Sequence, residues 1–274
     1  MEFKFIIPLK TLSKKIGETW TIDPDSSNII VDNLERTLQS ISIAAENCSH
    51  EIDISAIISG HENPLIYFPV KQENIKIFFI ENDFNRPQEK SQYMNDKERK
   101  KESAWKQIAK NWTEGSEPLE KLVMLMDADD LITKDFFDTV ISYFKDTNCD
   151  DACLMSGYVF DYKNSSRGYL DGIEKIFYRN CGSSFISKLS KKDVQTQNSY
   201  IYQLKNHVKF PEIAKQHGRK VGEIFHPIAC YLVNHGQNDA SERHGPQHMV
   251  NFVRQYQCSQ EKAQEFQIKF PYLM

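Results

Sequence analysis

The stretch LVMLMDADD, residues 122–130, drives an apolar run straight into Asp127, Asp129 and Asp130, with a single alanine among them. Carboxylates this close repel one another. Something positive must offset them: a divalent cation, a lysine or arginine, or bound protons. Hard oxygen donors suit Mg2+ or Mn2+, and such ions share their coordination sphere with substrate phosphates. On an extended strand end side chains alternate with period two, so Asp127 and Asp129 would face one ligand while Ala128 packs behind. The plainer reading is an acidic start to the next helix, where negative charge favours the helix dipole. A three-residue motif recurs by chance, so the surrounding elements must decide.

Those elements are legible as periodic segments. FKFIIPL (3–9) reads as a buried strand ended by its proline, and Asp23-Pro24-Asp25-Ser26-Ser27 as loop. From Val31 onward Leu34, Leu38, Ile41 and Ala45 share one helical face. DISAIIS (53–59) and IKIFFI (75–80) read as the second and third strands. The charged segment 84–100 runs on into a helix with Ala104, Trp105, Ile108 and Trp112 on one face, stopped by Gly115 to Pro118. LVMLM (122–126) is the fourth strand. Thr133 is placed to cap the next helix, whose apolar face is Phe136, Phe137, Val140, Ile141 and Phe144. CLMSGYVF (153–160) reads as one more strand and IACYLV (228–233) as another, and the last 40 residues as one or two amphipathic helices. Strands alternating with helices predict an α/β fold with a mostly parallel central sheet flanked by helices, its strands apolar on both faces. No linker divides the chain. We expect one continuous domain, with residues 1–150 forming a half that ends in the D-x-D strand and its helix, and 151–274 forming the other.

The bulk properties narrow the function. The chain has 274 residues, 26% of them charged, and a formal net charge of -4, so no global positive field points to nucleic acid. No run approaches the roughly 18 apolar residues of a membrane span, and MEFKFIIPLK is too short and too charged for a signal peptide. The six cysteines are scattered without a C-x-x-C pair. A reducing, cytoplasmic compartment is the expectation, with peripheral contact to a membrane surface left open. Phosphate-loop, dinucleotide-binding and serine-hydrolase motifs do not occur.

The apolar strand with Asp127-Ala128-Asp129-Asp130-Leu131-Ile132 resembles the DxD region of glycosyltransferases of the GT-A fold, in particular the family-2-like group. FIIPLK resembles that family's first strand and its trailing proline, and LERTLQSI (34–41) its first helix. The resemblance follows order and spacing over residues 3 to 145. It implies a single Rossmann-like domain that uses a nucleotide-diphosphate sugar and Mn2+ or Mg2+, with a glycan or lipid-linked glycan as acceptor and polysaccharide biosynthesis as the setting. It further implies donor contacts at Pro8, Leu9, Asp127 and Ala128, and metal contacts at Asp127 and Asp129. In YLVNHGQN (231–238), His235 matches the late histidine that gives many such enzymes a third metal contact. Read alone, His235 is as readily a loop or core histidine. His244 and His248 are separated by Gly245-Pro246 and do not make a helical metal pair.

The chain also departs from the family. Where members carry Asp-Asp-Gly-Ser after the second strand, Ser59-Gly60-His61-Glu62 stands here, followed by an extra strand-like piece ending at Glu81-Asn82-Asp83. The nucleobase contact therefore falls to Glu62, to Asp83, or to neither. The cation expected near the diphosphate lies in the run Lys97, Arg99, Lys100, Lys101, with Lys97 and Lys101 as candidates. The Glu-Asp pair that supplies the general base of inverting members is missing, which leaves Asp161, Asp171 and Glu223 as candidates. Tyr158, Tyr162 and Tyr169 are candidates to stack on a sugar face. Two other readings stay open: a haloacid-dehalogenase-type phosphatase, whose D-x-D nucleophile motif normally opens its domain, and a GT-A-like module that binds glycans without catalysis.

Overall fold

The computed structural model describes residues 1–66, 73–114, 120–194, 199–236 and 245–273. Among them a seven-stranded sheet forms the centre of the molecule. Its spatial order begins with the edge strand β12 (Val221–Ile224), then β8 (Asp151–Leu154), β11 (Phe185–Ser190) and β6 (Glu120–Leu125). It continues through β1 (Glu2–Pro8) and β4 (Asp53–Gly60) to β5 (Lys76–Glu81). All neighbours pair in parallel except β11, which runs antiparallel to both β6 and β8. The mostly parallel α/β architecture expected from the sequence is what the chain forms.

The central strands are buried on both faces because helices cover both. Phe3, Phe5 and Ile7 of β1 and Leu122 and Met124 of β6 face a core shared with helices α1 (Pro24–Glu46) and α3 (Phe136–Asp146). Ile6, Val123 and Leu125 face the opposite core, under α2 (Tyr93–Glu114) and α5 (Phe210–Gln216); the short helix α4 (Lys191–Val194) closes its edge. The period-two alternation of these strands thus divides their side chains between two layers.

A second sheet of four strands, β10 (Ser166–Leu170), β9 (Gly157–Asp161), β13 (Ala229–Val233) and β7 (Leu131–Ile132), packs beside the first. Its outer face is covered by Phe266 and Phe270 of the C-terminal region, where helices α6 (Pro246–Gln255) and α7 (Gln260–Lys269) lie. A hairpin of β2 (Ser13–Ile16) and β3 (Thr19–Ile22) stands apart.

Four local expectations are corrected. Asp23 to Ser27 is not loop: α1 starts at Pro24, with proline in its first turn where a missing N–H costs nothing. CLMSGYVF is two strands, because the chain leaves the large sheet after Leu154 and enters the small one at Gly157. There a Cβ would lie 2.4 Å from the Phe177 ring, so only glycine fits. Thr133 does not cap α3. It is buried, its N–H bonded to the Ile228 carbonyl at 3.0 Å, and Asp135 takes the N-cap position. The D-x-D segment does not continue the strand. β6 ends at Leu125 and the chain turns, with the Asp130 N–H donating to the Asp127 carbonyl at 3.2 Å. Residues 115–118, read as the stop of α2, and Gln237, Asn238 and His244 lie outside the described residues.

The C-terminal helix is tied to the rest by charge. Lys269 reaches Asp135 at 3.1 Å and the Pro227 carbonyl at 3.0 Å, and His226 meets Asp135 at 2.8 Å. Burial works against the Asp135 charge, but Thr133, His226 and Lys269 outweigh it and hold its pKa down to about 2. A folded-state value below the ordinary 3.8 means this carboxylate contributes stability above that pH, and the contribution is lost as pH falls toward 2. Asp135→Asn is therefore expected to lower the denaturation midpoint at pH 7, and its deficit relative to wild type to shrink as pH falls through that window. Urea titrations at several pH values check this.

Candidate functional site

A cavity of about 420 Å3 opens at the carboxyl end of the central strands, the place where open α/β sheets bind ligands. Its floor is the turn after β6, contributing Asp127, Ala128 and Asp129. One wall is the end of β1 and the segment after it, from Pro8 to Thr11, with Ser13. Another is Tyr93, Met94, Asp96 and Lys97 at the start of α2. The second half of the chain contributes Arg179, Asn180, Gly182, His207, Val208, Tyr231 and His235.

One carboxylate oxygen from each of Asp127, Asp129 and Asp130 lies within 4.8 Å of the others. Each is offset differently. Asp127 pairs with Lys97 at 2.7 Å. Its burial favours the neutral acid, yet Lys97 and Lys101 prevail and hold it below the usual carboxylate range. Asp129 meets His235 Nε2 at 2.8 Å. Asp130 is buried, and burial first, then the Asp129 and Asp127 charges, push its carboxyl well above the usual range. It accepts hydrogen bonds from Ser183 Oγ at 2.5 Å and Cys181 Sγ at 3.2 Å, while Oδ1 has no partner among the described residues. Ser183 Oγ also accepts the Asp127 N–H at 2.7 Å, which fixes the turn. Gly182 passes so close that a Cβ there would lie 2.7 Å from Asp127 Oδ2. The three hard oxygen donors, with one buried oxygen unpartnered, fit a divalent cation.

The His235 ring is set from behind. Arg36 donates to Asn33 Oδ1 at 2.7 Å, which turns the Asn33 amide N–H toward His235 Nδ1, also at 2.7 Å. With Nδ1 accepting, a neutral ring carries its proton on Nε2, which lies 2.8 Å from Asp129 but is not aligned to hydrogen-bond it. Ligation of an ion by Nε2 requires that proton to move to Nδ1 and the Asn33 amide to turn over.

The other residues singled out in the sequence are placed as follows. Pro8, Leu9 and Lys97 line the cavity; Lys101 does not. Lys101 is buried against Glu98 at 2.9 Å, and desolvation pushes its ammonium below its ordinary value. Glu62 is turned away from the cavity. Its carboxylate accepts the Leu12 N–H at 3.0 Å and pairs with Arg86 at 3.0 Å, so it holds the segment after β1. Asp83 is exposed outside the lining. None of the later carboxylates lines the cavity. Asp161 is buried and bonded to Asn164 and Asn234, Asp171 accepts the backbone N–H groups of Ile173 and Glu174, and Glu223 is exposed on edge strand β12. Tyr158 is a core residue, packed on Tyr169 and Phe266. Tyr162 stacks under Arg36. The aromatic rings on the cavity wall are Tyr93 and Tyr231.

Several lining residues carried no sequence signal. Arg179 and His207 sit in short helical turns without a motif. Beneath the wall, Lys100 is buried and donates to the Leu9 carbonyl at 2.9 Å while pairing with Asp96, which in turn meets His61 at 2.7 Å. Burial opposes the Asp96 charge, and His61 and Lys100 still hold its carboxyl below the usual range.

No family model matches the chain, and no curated protein matches it. Solved structures do. Against S. aureus TarS the TM-score is 0.47 at 11% identity, covering 98% of this chain and 42% of that one. Against TarS 1–349 in complex with UDP-GlcNAc it is 0.45 at 10% identity, covering 100% and 72%. Against a protein assigned as a nucleotide-diphospho-sugar transferase, from Desulfovibrio desulfuricans G20, it is 0.42 at 11% identity, covering 94% and 99%. The likeness concerns the mixed α/β fold. The chain spans under half the length of the longer TarS structure. Among the described residues no helix is long and apolar enough to cross a membrane.

Gly182→Ala separates folding from ion binding. The nearest obstacle to a new Cβ is the tip of the Asp127 side chain, which can rotate away. The folding cost is expected to stay within about 1–3 kcal/mol, whereas displacement of a carboxylate is expected to weaken Mn2+ binding at least ~10-fold, the scale of losses around metal sites. Urea denaturation and calorimetric Mn2+ titration read the two effects.

Proposed function

We propose that this protein is a GT-A-type glycosyltransferase that moves a sugar from a nucleotide-diphosphate donor to a hydroxyl of a glycan or lipid-linked glycan, using Mn2+ or Mg2+. One observation carries the reading: an acidic floor, Asp127, Asp129 and Asp130, faces cavity walls that bring Lys10, Lys97 and Arg179. A diphosphate with its divalent cation needs both signs in one pocket, acid for the ion and bases for the phosphate oxygens. Neither a dry apolar pocket nor a purely acidic cation site would join them.

In this reading Asp127 and Asp129 hold the ion, with Asp130 behind them and His235 as a third contact once its proton has moved. When bound, the ion supplies Lewis-acid stabilisation of the negative charge on the departing diphosphate. Lys97 shares its ammonium between Asp127 and the phosphates. Pro8, Leu9 and the following residues to Ser13 hold the nucleoside, on a segment that Glu62 and Lys100 fix from below. Asn180, Val208 and Tyr231 border the space left for the acceptor.

A thermal-shift screen with UDP-, GDP-, CMP- and dTDP-sugars, each with and without Mn2+, tests this. One nucleotide family is expected to stabilise the protein only with metal, by about 2.7 kcal/mol at a hundredfold excess over Kd, and to lose the effect in Asp129→Ala. A protein that binds Mn2+ but shifts with no nucleotide would sink the donor-site reading.

A further inference from the structure

We infer that the acceptor is an acidic glycan more than one unit long, and that the unit behind the attacking hydroxyl lies in a groove beside the main cavity. The inference rests on the transferase reading and adds what that reading leaves open, the class of acceptor. The groove is a second, more open cavity of about 560 Å3, within the usual size of ligand sites. Arg179 and Val208 line both cavities, so the two are joined along one wall. A glycan lying along that wall would place its end in the main cavity and its next unit in the groove.

The walls of the groove stand on buried anchors. Phe177 is buried, and its N–H donates to the Met155 carbonyl at 2.7 Å. The short turn it begins, Phe177–Arg179, leaves Tyr178 half-buried and Arg179 exposed in the lining. The Asn180 amide ties that turn to the Ile176 carbonyl at 2.9 Å. In the turn His207–Lys209, the Val208 N–H donates to the Asn206 side chain at 3.1 Å. Helix α5 follows, with Phe210 and Ala214 buried. Glu212, Lys215 and Gln216 are exposed, and their spacing of three and four residues puts them on one face. All three line the groove.

This chemistry suits a sugar. Tyr178, Val208 and Pro211 offer apolar surface to C–H groups, while Glu212, Lys215 and Gln216 offer acceptors and donors to hydroxyls. Charge selects an acidic sugar. Between residues 205 and 216 the chain carries three lysines, Lys205, Lys209 and Lys215, against one carboxylate, Glu212, although its formal net charge is -4. Glu212 is met by the Gln216 amide at 3.3 Å. Neither Arg179 nor Lys215 has a carboxylate partner among the described residues, whereas Lys97 pairs with Asp127 and Lys100 with Asp96. Unpaired cations along a groove draw and orient an anion. The transferase reading assigns Arg179 to the diphosphate. Lys215 lines the groove alone and is left for the acid of the acceptor.

Calorimetric titration of the full chain with three oligosaccharides tests this. A hyaluronan tetrasaccharide carries carboxylates, a phosphorylated mannan pentasaccharide carries phosphate, and chitotetraose is neutral. One of the acidic glycans is expected to bind at least ~10-fold more tightly than the neutral one, and to weaken as salt rises. Whichever binds better identifies the acid as carboxylate or phosphate. Lys215→Glu is expected to lose the preference and to keep the wild-type unfolding midpoint and the metal-dependent nucleotide shift, because Lys215 is exposed and lines the groove only. Lys192→Glu makes the same charge change at an exposed position outside both linings and is expected to keep the preference. No preference for an acidic glycan in the wild type, or equal losses in the two variants, would overturn the inference. Absence of any nucleotide shift in the wild type would instead overturn the transferase reading on which it stands.

Discussion

The repulsion among three carboxylates at the end of β6 is the constraint that the rest of the structure answers. Their oxygens lie within 4.8 Å of one another at the end of a buried strand, Asp127 and Asp129 facing the cavity and Asp130 buried behind them. The surrounding elements send side chains toward them. Helix α2 sends Lys97, the chain before β11 sends Ser183 and Cys181, the turn after β13 sends His235, and α1 sends Asn33 to set that histidine. The remaining repulsion bears on Asp130, whose carboxyl is pushed well above the ordinary aspartate range by burial and by the Asp129 and Asp127 charges. A charge cluster that needs four separate segments to hold it is costly to keep, and a ligand that neutralised it in one step would account for the cost.

The same logic explains how the wall above the cluster is held. The segment after β1 stands over the cavity with few backbone partners, the Leu9 N–H to Ser59 and the Leu12 carbonyl to Asp23 among them. Lys100 and Glu62 add to these, one binding the Leu9 carbonyl and the other the Leu12 N–H. A buried ammonium is tolerated there because Asp96 pairs with it, and Asp96 is balanced again by His61. Glu62 thus occupies a position where a carboxylate facing a nucleobase is expected and uses both oxygens on the protein itself. Under the proposed function, recognition of a base would fall to the residues between Leu9 and Ser13 that line the cavity.

Much of this was legible in the sequence, and the rest was hidden for physical reasons. The strands β1, β4, β6 and β13 and the long helices declared themselves because strands buried on both faces and helices with one apolar face are strongly patterned, and edge strand β5 because its run is apolar throughout. The hairpin of β2 and β3 is mostly exposed and rich in lysine and threonine, so no apolar alternation marked it. The break between β8 and β9 left no trace because both are buried, and an apolar run reads the same whether it stays in one sheet or crosses to another. At the site, Asp127, Asp129 and Lys97 were visible through local spacing and charge. His207 and Arg179 were not, because neither belongs to a motif and both join the cavity wall only through the fold.

The antiparallel strand β11 decides how the two stretches of chain combine. It pairs with β6 on one side and β8 on the other, so the later strands complete the same sheet that β1 and β6 begin. The loop leading into β11 carries Cys181, Gly182 and Ser183 past the D-x-D turn, and the turn's geometry depends on that passage: Ser183 binds Asp127 and Asp130, and Gly182 leaves room for the Asp127 carboxylate. A side chain at Gly182 or the loss of Ser183 would disturb the acidic floor even if every aspartate were kept. The carboxylates therefore belong to β6 in sequence but to β11 in geometry, and the cavity can exist only where both are in place.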